Sequence, residues 1–152
     1  MGIGQLAGRL ETDLAKVRLG QFTAKDYGAH LKSQLELVRI GTPASEIDGI
    51  DNDGKKFKLS EYKGKVVVLD FFADWCQYCK AMYPHEQRMV RELKDRPFAL
   101  LGVNTDPHKV LSEIVKDGTV TWRCWADGQG GPIAAAWRID SAKSTMNFVT
   151  TK

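Results

Sequence analysis

The chain has 152 residues, of which 22 are basic and 19 acidic, giving a formal net charge of +3, and 43% of it is apolar or aromatic. The longest apolar run is the five residues Ile133 to Trp137, too short for a membrane-spanning helix. Interspersed charges with no basic block argue against phosphate-dominated nucleic-acid binding, and four Trp, six Phe and four Tyr argue against disorder.

The first forty residues read as a helical appendage. Met1 to Gly8 carries no basic n-region, and Ile3, Leu6, Ala7, Leu10, Leu14 and Val17 are spaced for a helix face rather than for a signal peptide's apolar core. Gly20 falls where a left-handed helix cap belongs. Thr23 and Asp26 announce a second helix, with Tyr27, Leu31, Leu35 and Val38 as its apolar stripe. The mixed-sign polar faces suit packing on another surface better than binding anionic lipid. Gly41 to Ser45 reads as a linker, so the expected division is 1–40 and 41–152.

Beyond the linker the period changes from 3.6 to 2. Ile47 to Ile50 and Phe57 to Leu59 are short candidate strands around the turn Asp51-Asn52-Asp53-Gly54. Val66 to Phe72, interrupted only by Asp70, has the composition of a central strand buried on both faces, and Ala99 to Asn104 is a second such strand. Between them Cys76 to Lys94 reads as a helix with Met82, Met89, Val90 and Leu93 inward. Pro107 to Lys116 reads as another, with Asp106-Pro107 as cap and first-turn residue. The alternation predicts an α/β fold built on a parallel βαβ core, with ligands at the carboxyl ends of the strands.

Cys76 and Cys79 occupy that carboxyl end. A disulfide-exchange catalyst needs a thiolate, and a helix N-terminus plus a second nearby thiol lowers a cysteine pKa without metal. Cys76 is placed to attack, and Cys79, one turn further in, to resolve the mixed disulfide. Structural zinc is the competing reading of the spacing, but it needs a second Cys/His pair. His85, His108 and Cys124 are scattered. No cofactor or metal is expected. Cys124, in an aromatic setting, reads as an inert core thiol.

The string V-V-V-L-D-F-F-A-D-W-C-Q-Y-C-K-A-M-Y-P (Val66 to Pro84) resembles the active-site strand and helix of thioredoxin-fold proteins. Gly41 to Lys65 resembles the N-terminal hairpin of their TlpA/ResA-like, AhpC/TSA (redoxin) branch. The resemblance covers about Gly41 to Trp137. It implies a thioredoxin-like fold, with a central mostly parallel sheet, flanking helices and an N-terminal β-hairpin. It also implies thiol-disulfide oxidoreductase activity in cell redox homeostasis, usually in a periplasmic or membrane-tethered extracytoplasmic setting. The implied partners are protein thiols and disulfides and an upstream dithiol reductant. By the same resemblance Cys76 is the nucleophile, Cys79 the resolving thiol, Trp75 the flanking aromatic, Asp70 the buried proton acceptor and Pro84 the helix-kinking proline. A solvated or hydrogen-bonded Asp70 near a strand end is the plainer alternative. Gln77-Tyr78 replaces the Gly-Pro of thioredoxin, a dipeptide that tunes reduction potential, and Lys80 either assists the thiolate or is a solvated surface lysine.

Two other functions share this fold. In the peroxiredoxin branch, an antioxidant peroxidase, the reactive Cys is activated by an upstream Pro and by a Thr or Ser three residues before it. Here that place is Ala73, and no Pro lies between Pro43 and Cys76. A catalytically impaired binding module is the third reading, prompted by the C-terminus. The family's cis-proline loop follows the position of Trp137, yet no proline lies between Trp137 and Lys152, with Lys143 or Ser144 near the expected place. Only one more strand, Thr145 to Thr150, fits. A C-terminally truncated domain is therefore expected, with impaired substrate binding, a bare sheet face exposing the apolar side chains of Val66 to Phe72, and a fold that is marginal or rescued by the N-terminal helices or a partner.

Overall fold

A computed structural model describes residues 3–19, 22–26, 28–29, 32, 41, 43–139 and 145–150, and its backbone divides into two units, Met1–Thr42 and Pro43–Lys152. In the first unit, helix α1 (Ile3–Glu11) ends sooner than the leucine spacing predicts. The Thr12 hydroxyl donates back to the Gly8 carbonyl at 3.1 Å and bonds the Asp13 carboxylate at 2.9 Å, local partners that compete with helix continuation. The chain passes instead into a short antiparallel pair, β1 (Arg18–Leu19) and β2 (Phe22–Thr23), leaving Leu14 and Val17 exposed. The second helix starts where expected. The Thr23 N–H donates to Asp26 Oδ2 at 2.9 Å while the Thr23 hydroxyl accepts the Asp26 N–H at 3.2 Å, a reciprocal cap. Gly20, Tyr27, Leu31, Leu35 and Val38 lie outside the described residues.

The second unit opens with an antiparallel hairpin, β3 (Asp48–Ile50) and β4 (Lys56–Lys58). Its turn is set by the Asp51 carboxylate, which accepts the Asp53 and Lys55 N–H groups, and by Gly54 at φ +76°, a conformation glycine adopts without cost. Leu59 opens a 3₁₀ turn, Leu59–Tyr62, rather than extending β4. The main sheet runs in the order β7-β6-β5-β8. Its members are β5 (Val66–Phe72), β6 (Phe98–Asn104), β7 (Arg123–Ala126) and β8 (Thr145–Thr150). β5, β6 and β7 are parallel, and β8 is antiparallel to β5. The register aligns Asp70 with Gly102, and Gly102 with Cys124. Outside β7, Asp51 forms an antiparallel bridge to Trp125 and its carboxylate accepts two hydrogen bonds from the Arg123 guanidinium, at 2.8 and 2.9 Å. Helices α2 (Gln77–Glu92), α3 (His108–Lys116) and α4 (Pro132–Ala136) complete the unit.

Alternate side chains of β5 serve two cores. Val67, Leu69 and Phe71 join Ile47, Phe57, Leu59, Leu101, Val103, Trp125, Ile133 and Trp137. Val68 and Phe72 join Cys76, Cys79, Tyr83, Leu100, Leu111, Trp122 and Cys124. The expected bare face is thus corrected: only Val66 of this strand is exposed. The hairpin, the 3₁₀ turn and α4 with Trp137 cover the face on which Leu69 and Phe71 lie, burying side chains worth about 1.5–3 kcal/mol each.

Two helix details also differ from expectation. Cys79, Tyr83 and Glu86 form the buried stripe of α2, spaced four and three residues apart, and Met82 turns outward. Pro107, not Asp106, is the N-cap of α3, and its ring has no group to make a side-chain cap bond; the Asp106 carboxylate is engaged with the Asp74 amide instead.

Candidate active site

β5 runs straight into the loop Ala73-Asp74-Trp75, and the Cys76 N–H donates to the Ala73 carbonyl at 3.1 Å. Cys76 is the N-cap of α2, and its Sγ accepts the Cys79 N–H at 3.2 Å. The two cysteines form a disulfide with Cα atoms 5.3 Å apart. A thiolate at the Cys76 position would meet the unpaired amides and positive dipole end of α2, which favour negative charge. Both cysteines are largely buried, whereas Trp75, at 59% exposure, and Tyr78, at 84%, stand open to solvent beside them.

The loop before the pair is held by Asn104 and Asp106, which the sequence marks only as a strand end and a helix cap. Asp106 Oδ2 accepts the Asp74 N–H at 2.7 Å and the Asn104 side-chain N–H at 2.9 Å, while Asn104 Oδ1 accepts the Asp106 N–H at 3.0 Å. Asn104 ends β6 and is fully buried, so the adjacent strand end clamps the entry to α2. An Asn-x-Asp directly after an apolar strand was the available signal. Lys80 pairs with the Asp74 carboxylate at 3.1 Å at the surface.

Asp70, 6% exposed, lies on the same side of β5 as Val68 and Phe72, the side that packs against the cysteine pair. Burial pushes its carboxyl above the ordinary range, partly offset by a hydrogen bond with Glu86. Glu86, at 1% exposure, is pushed up further, by burial first and then by the Asp70 charge and the hydrogen bond with Asp70. Nothing in the sequence marks Glu86, because the inner stripe of a helix is read from its apolar residues. The Tyr83 hydroxyl, which has no hydrogen-bond partner, and the Cys124 thiol line the same side; burial, then carboxylate charge, raises both their pKa values. Cys124 is buried on β7, aligned with Gly102. A Cβ at Gly102 would come within 2.6 Å of Cys124 Sγ and 2.7 Å of the Phe72 ring, so only glycine leaves room there.

Among the described residues no three His, Cys, Asp or Glu side chains are grouped to hold a metal ion, and no helix is long and apolar enough to cross a membrane. A cavity of about 230 Å³, lined by Val90, Leu93, Phe98, Leu100 and Trp122 among others, sits where β6 begins and α2 ends. That is the opposite strand end from the cysteine pair.

The sequence pattern of the AhpC/TSA family matches residues 40–150. The chain belongs to the AhpC/TSA family. Among curated members of this family's neighbourhood, it is 31% identical over 75 residues to the thiol-disulfide oxidoreductase ResA of Bacillus subtilis, covering 49% of this chain and 42% of that protein. To the ResA of Geobacillus kaustophilus it is 30% identical over 122 residues, covering 74% and 70%. The solution structure of a thiol:disulfide interchange protein from Bacteroides sp. superposes with a TM-score of 0.64 at 23% identity, covering 73% of this chain and 74% of that one. The fold of the second unit is thioredoxin-like, as the resemblance implied. The matched part of the B. subtilis protein is less than half of its length.

Proposed function

We propose that the chain is a thiol-disulfide oxidoreductase acting on cysteines of other proteins, with Cys76 as nucleophile and Cys79 as resolving thiol. The observation that carries this reading is Cys76 at the N-cap of a helix that starts from the carboxyl end of the central strand, bonded to Cys79 one turn inside. The relatives named thiol-disulfide oxidoreductase support it.

In the reducing direction, the Cys76 thiolate attacks a partner disulfide, forming a Cys76–partner bond and expelling one partner thiolate. Cys79 gives its proton to the Asp70 carboxylate and attacks Cys76 Sγ, releasing the second partner thiolate and leaving the Cys76–Cys79 disulfide. An upstream dithiol then returns the pair to the reduced state. Asp70 is the proton acceptor in this reading, and exposed Trp75 is part of the surface on which the partner polypeptide lies.

Insulin reduction with dithiothreitol, run beside hydrogen peroxide consumption, tests the assignment. Catalysed insulin reduction that vanishes in Cys76→Ser, with peroxide consumed only at the background rate, is expected. Rapid peroxide consumption without insulin reduction would place the chain in the peroxidase branch instead. A measured Cys76–Cys79 potential fixes the direction: roughly −270 mV marks a reductase, roughly −120 mV an oxidant.

A further inference from the structure

One buried carboxyl, Glu86, has no part in the proposed chemistry. Glu86 sits on the buried stripe of α2 with Cys79 and Tyr83, 1% exposed, where helical spacing and its neighbours would place an apolar side chain. Among the described residues neither Glu86 oxygen meets an N–H or O–H donor, and the buried Asp70 carboxyl is the acidic group within its hydrogen-bonding reach. Two carboxylates cannot bond one another without a proton, since an ionised carboxyl only accepts. Two adjacent buried negative charges are also prohibitively unfavourable.

We propose that Glu86 is a positioning residue that keeps Asp70 ready as a base: it holds one proton, donates it in a hydrogen bond to the Asp70 carboxylate, and so leaves the pair with a single negative charge. This rests on the reading of Asp70 as the acceptor for Cys79. The cycle balances. Before resolution the pair holds one proton, on Glu86. Cys79–SH and Asp70–COO⁻ become Cys79–S⁻ and Asp70–COOH, the thiolate attacks Cys76 Sγ, and the pair is left neutral with two protons until one leaves to solvent. Without Glu86, burial alone acts on Asp70 and holds it protonated to higher pH, where it cannot accept.

The groups facing the pair reinforce the single-charge arrangement. Tyr83 and Cys79 on α2 and Cys124 on β7 share its side of the sheet. The charges of Asp74 and Asp106 are felt at Tyr83 along with those of the pair itself. Lys80 is held at the surface by Asp74.

The test uses the reduced full-length chain and 5,5′-dithiobis(2-nitrobenzoate). The first nitrothiobenzoate released reports attack by Cys76, and the second, a separate phase, reports resolution by Cys79. In the unmodified protein the second phase rises with pH around the midpoint for Asp70. Glu86→Leu keeps the site dry but removes the donor, and should move that midpoint upward by roughly one to two pH units, the equivalent of a lost hydrogen bond to a charged group. Glu86→Gln, which retains an N–H donor, should leave it near the original value. An unmoved midpoint in Glu86→Leu, with Asp70→Asn still abolishing the pH-dependent rise, overturns the role of Glu86 alone. A profile that Asp70→Asn does not change overturns the reading of Asp70 itself. Carboxyl-carbon NMR titration of the unmodified protein gives the second measurement: one buried carboxyl protonated across neutrality is expected, and two carboxyls ionising together near pH 4 overturn the proposal.

Discussion

On one side of the sheet Val67, Leu69 and Phe71 meet Ile47, Phe57, Leu59, Trp125 and Trp137; on the other, Val68, Asp70 and Phe72 meet the cysteine pair, Tyr83 and Cys124. The first side is packed for cohesion. Phe57 and Trp125 stack at 4.1 Å and 8°, and the Trp125 indole N–H donates to the Phe57 carbonyl at 3.2 Å. Among the described residues the second side holds most of the buried polarity that packing does not satisfy: the Tyr83 hydroxyl, the Trp122 indole N–H and both Glu86 oxygens lack partners, against the Trp137 indole N–H on the first. One strand thus divides stability from chemistry by its pleat. Most of the costly groups gather on the side of Cys76 and Cys79, where the proposed exchange would move a proton.

Substitutions on the two sides should separate these roles. The largest effect is expected at the nucleophile: Cys76→Ser should reduce insulin-reducing activity to background with little change in melting temperature, whereas Cys79→Ser should trap a Cys76 mixed disulfide visible by mass spectrometry. Iodoacetamide at neutral pH should label Cys76 first, and preferential labelling of Cys124 would contradict the division. On the cohesive side, Trp125→Ala should cost about 3–5 kcal/mol in denaturant unfolding while leaving the Cys76 labelling rate of the folded protein unchanged. Gly102→Ala, which drives a methyl into Cys124 and Phe72, should cost about 1–3 kcal/mol.

The smallest effect carries a sign. Asp70 and Glu86 are held above their unfolded-state pKa values, so between the ordinary carboxyl range and the folded values the native chain binds more protons than the unfolded one. Their contribution to stability is therefore present at low pH and lost as pH rises through the folded values. Asp70→Asn should stabilise the fold by about 1 kcal/mol at pH 8, with a smaller gain at pH 5, measured as the difference in unfolding midpoint from the unmodified chain. A variant less stable at pH 8 than at pH 5, relative to the original, would show that Asp70 is satisfied rather than strained.

Much of this was legible in the residues because local signals and tertiary context agree. The β-branched run around Asp70, the Asp-Asn-Asp-Gly turn, the strand at Thr145–Thr150 and the placement of Cys76 at a helix start all recur in the structure. What was not legible depends on contacts distant in sequence. Helix spacing cannot tell a buried Glu86 from a solvated one, because its partner lies sixteen residues earlier on another element. Asp106 has the identity of a cap for α3, yet the Asp74 amide claims its carboxylate. The expected bare face of β5 failed for a related reason: α4 and Trp137 close that face through a short apolar run whose destination the periodicity does not reveal.

The Asp51 bridge to Trp125 has a bearing on self-association. β7 is the outermost strand on its side of the sheet, and such a strand offers unpaired backbone groups as a template for another polypeptide. The turn of the hairpin bonds to the middle of β7, and the Asp51–Arg123 ion pair stands next to it. Asp51, the first residue of the hairpin turn, thereby obstructs strand addition, and Asp51→Ala should be felt first as loss of colloidal stability on storage rather than as loss of disulfide exchange.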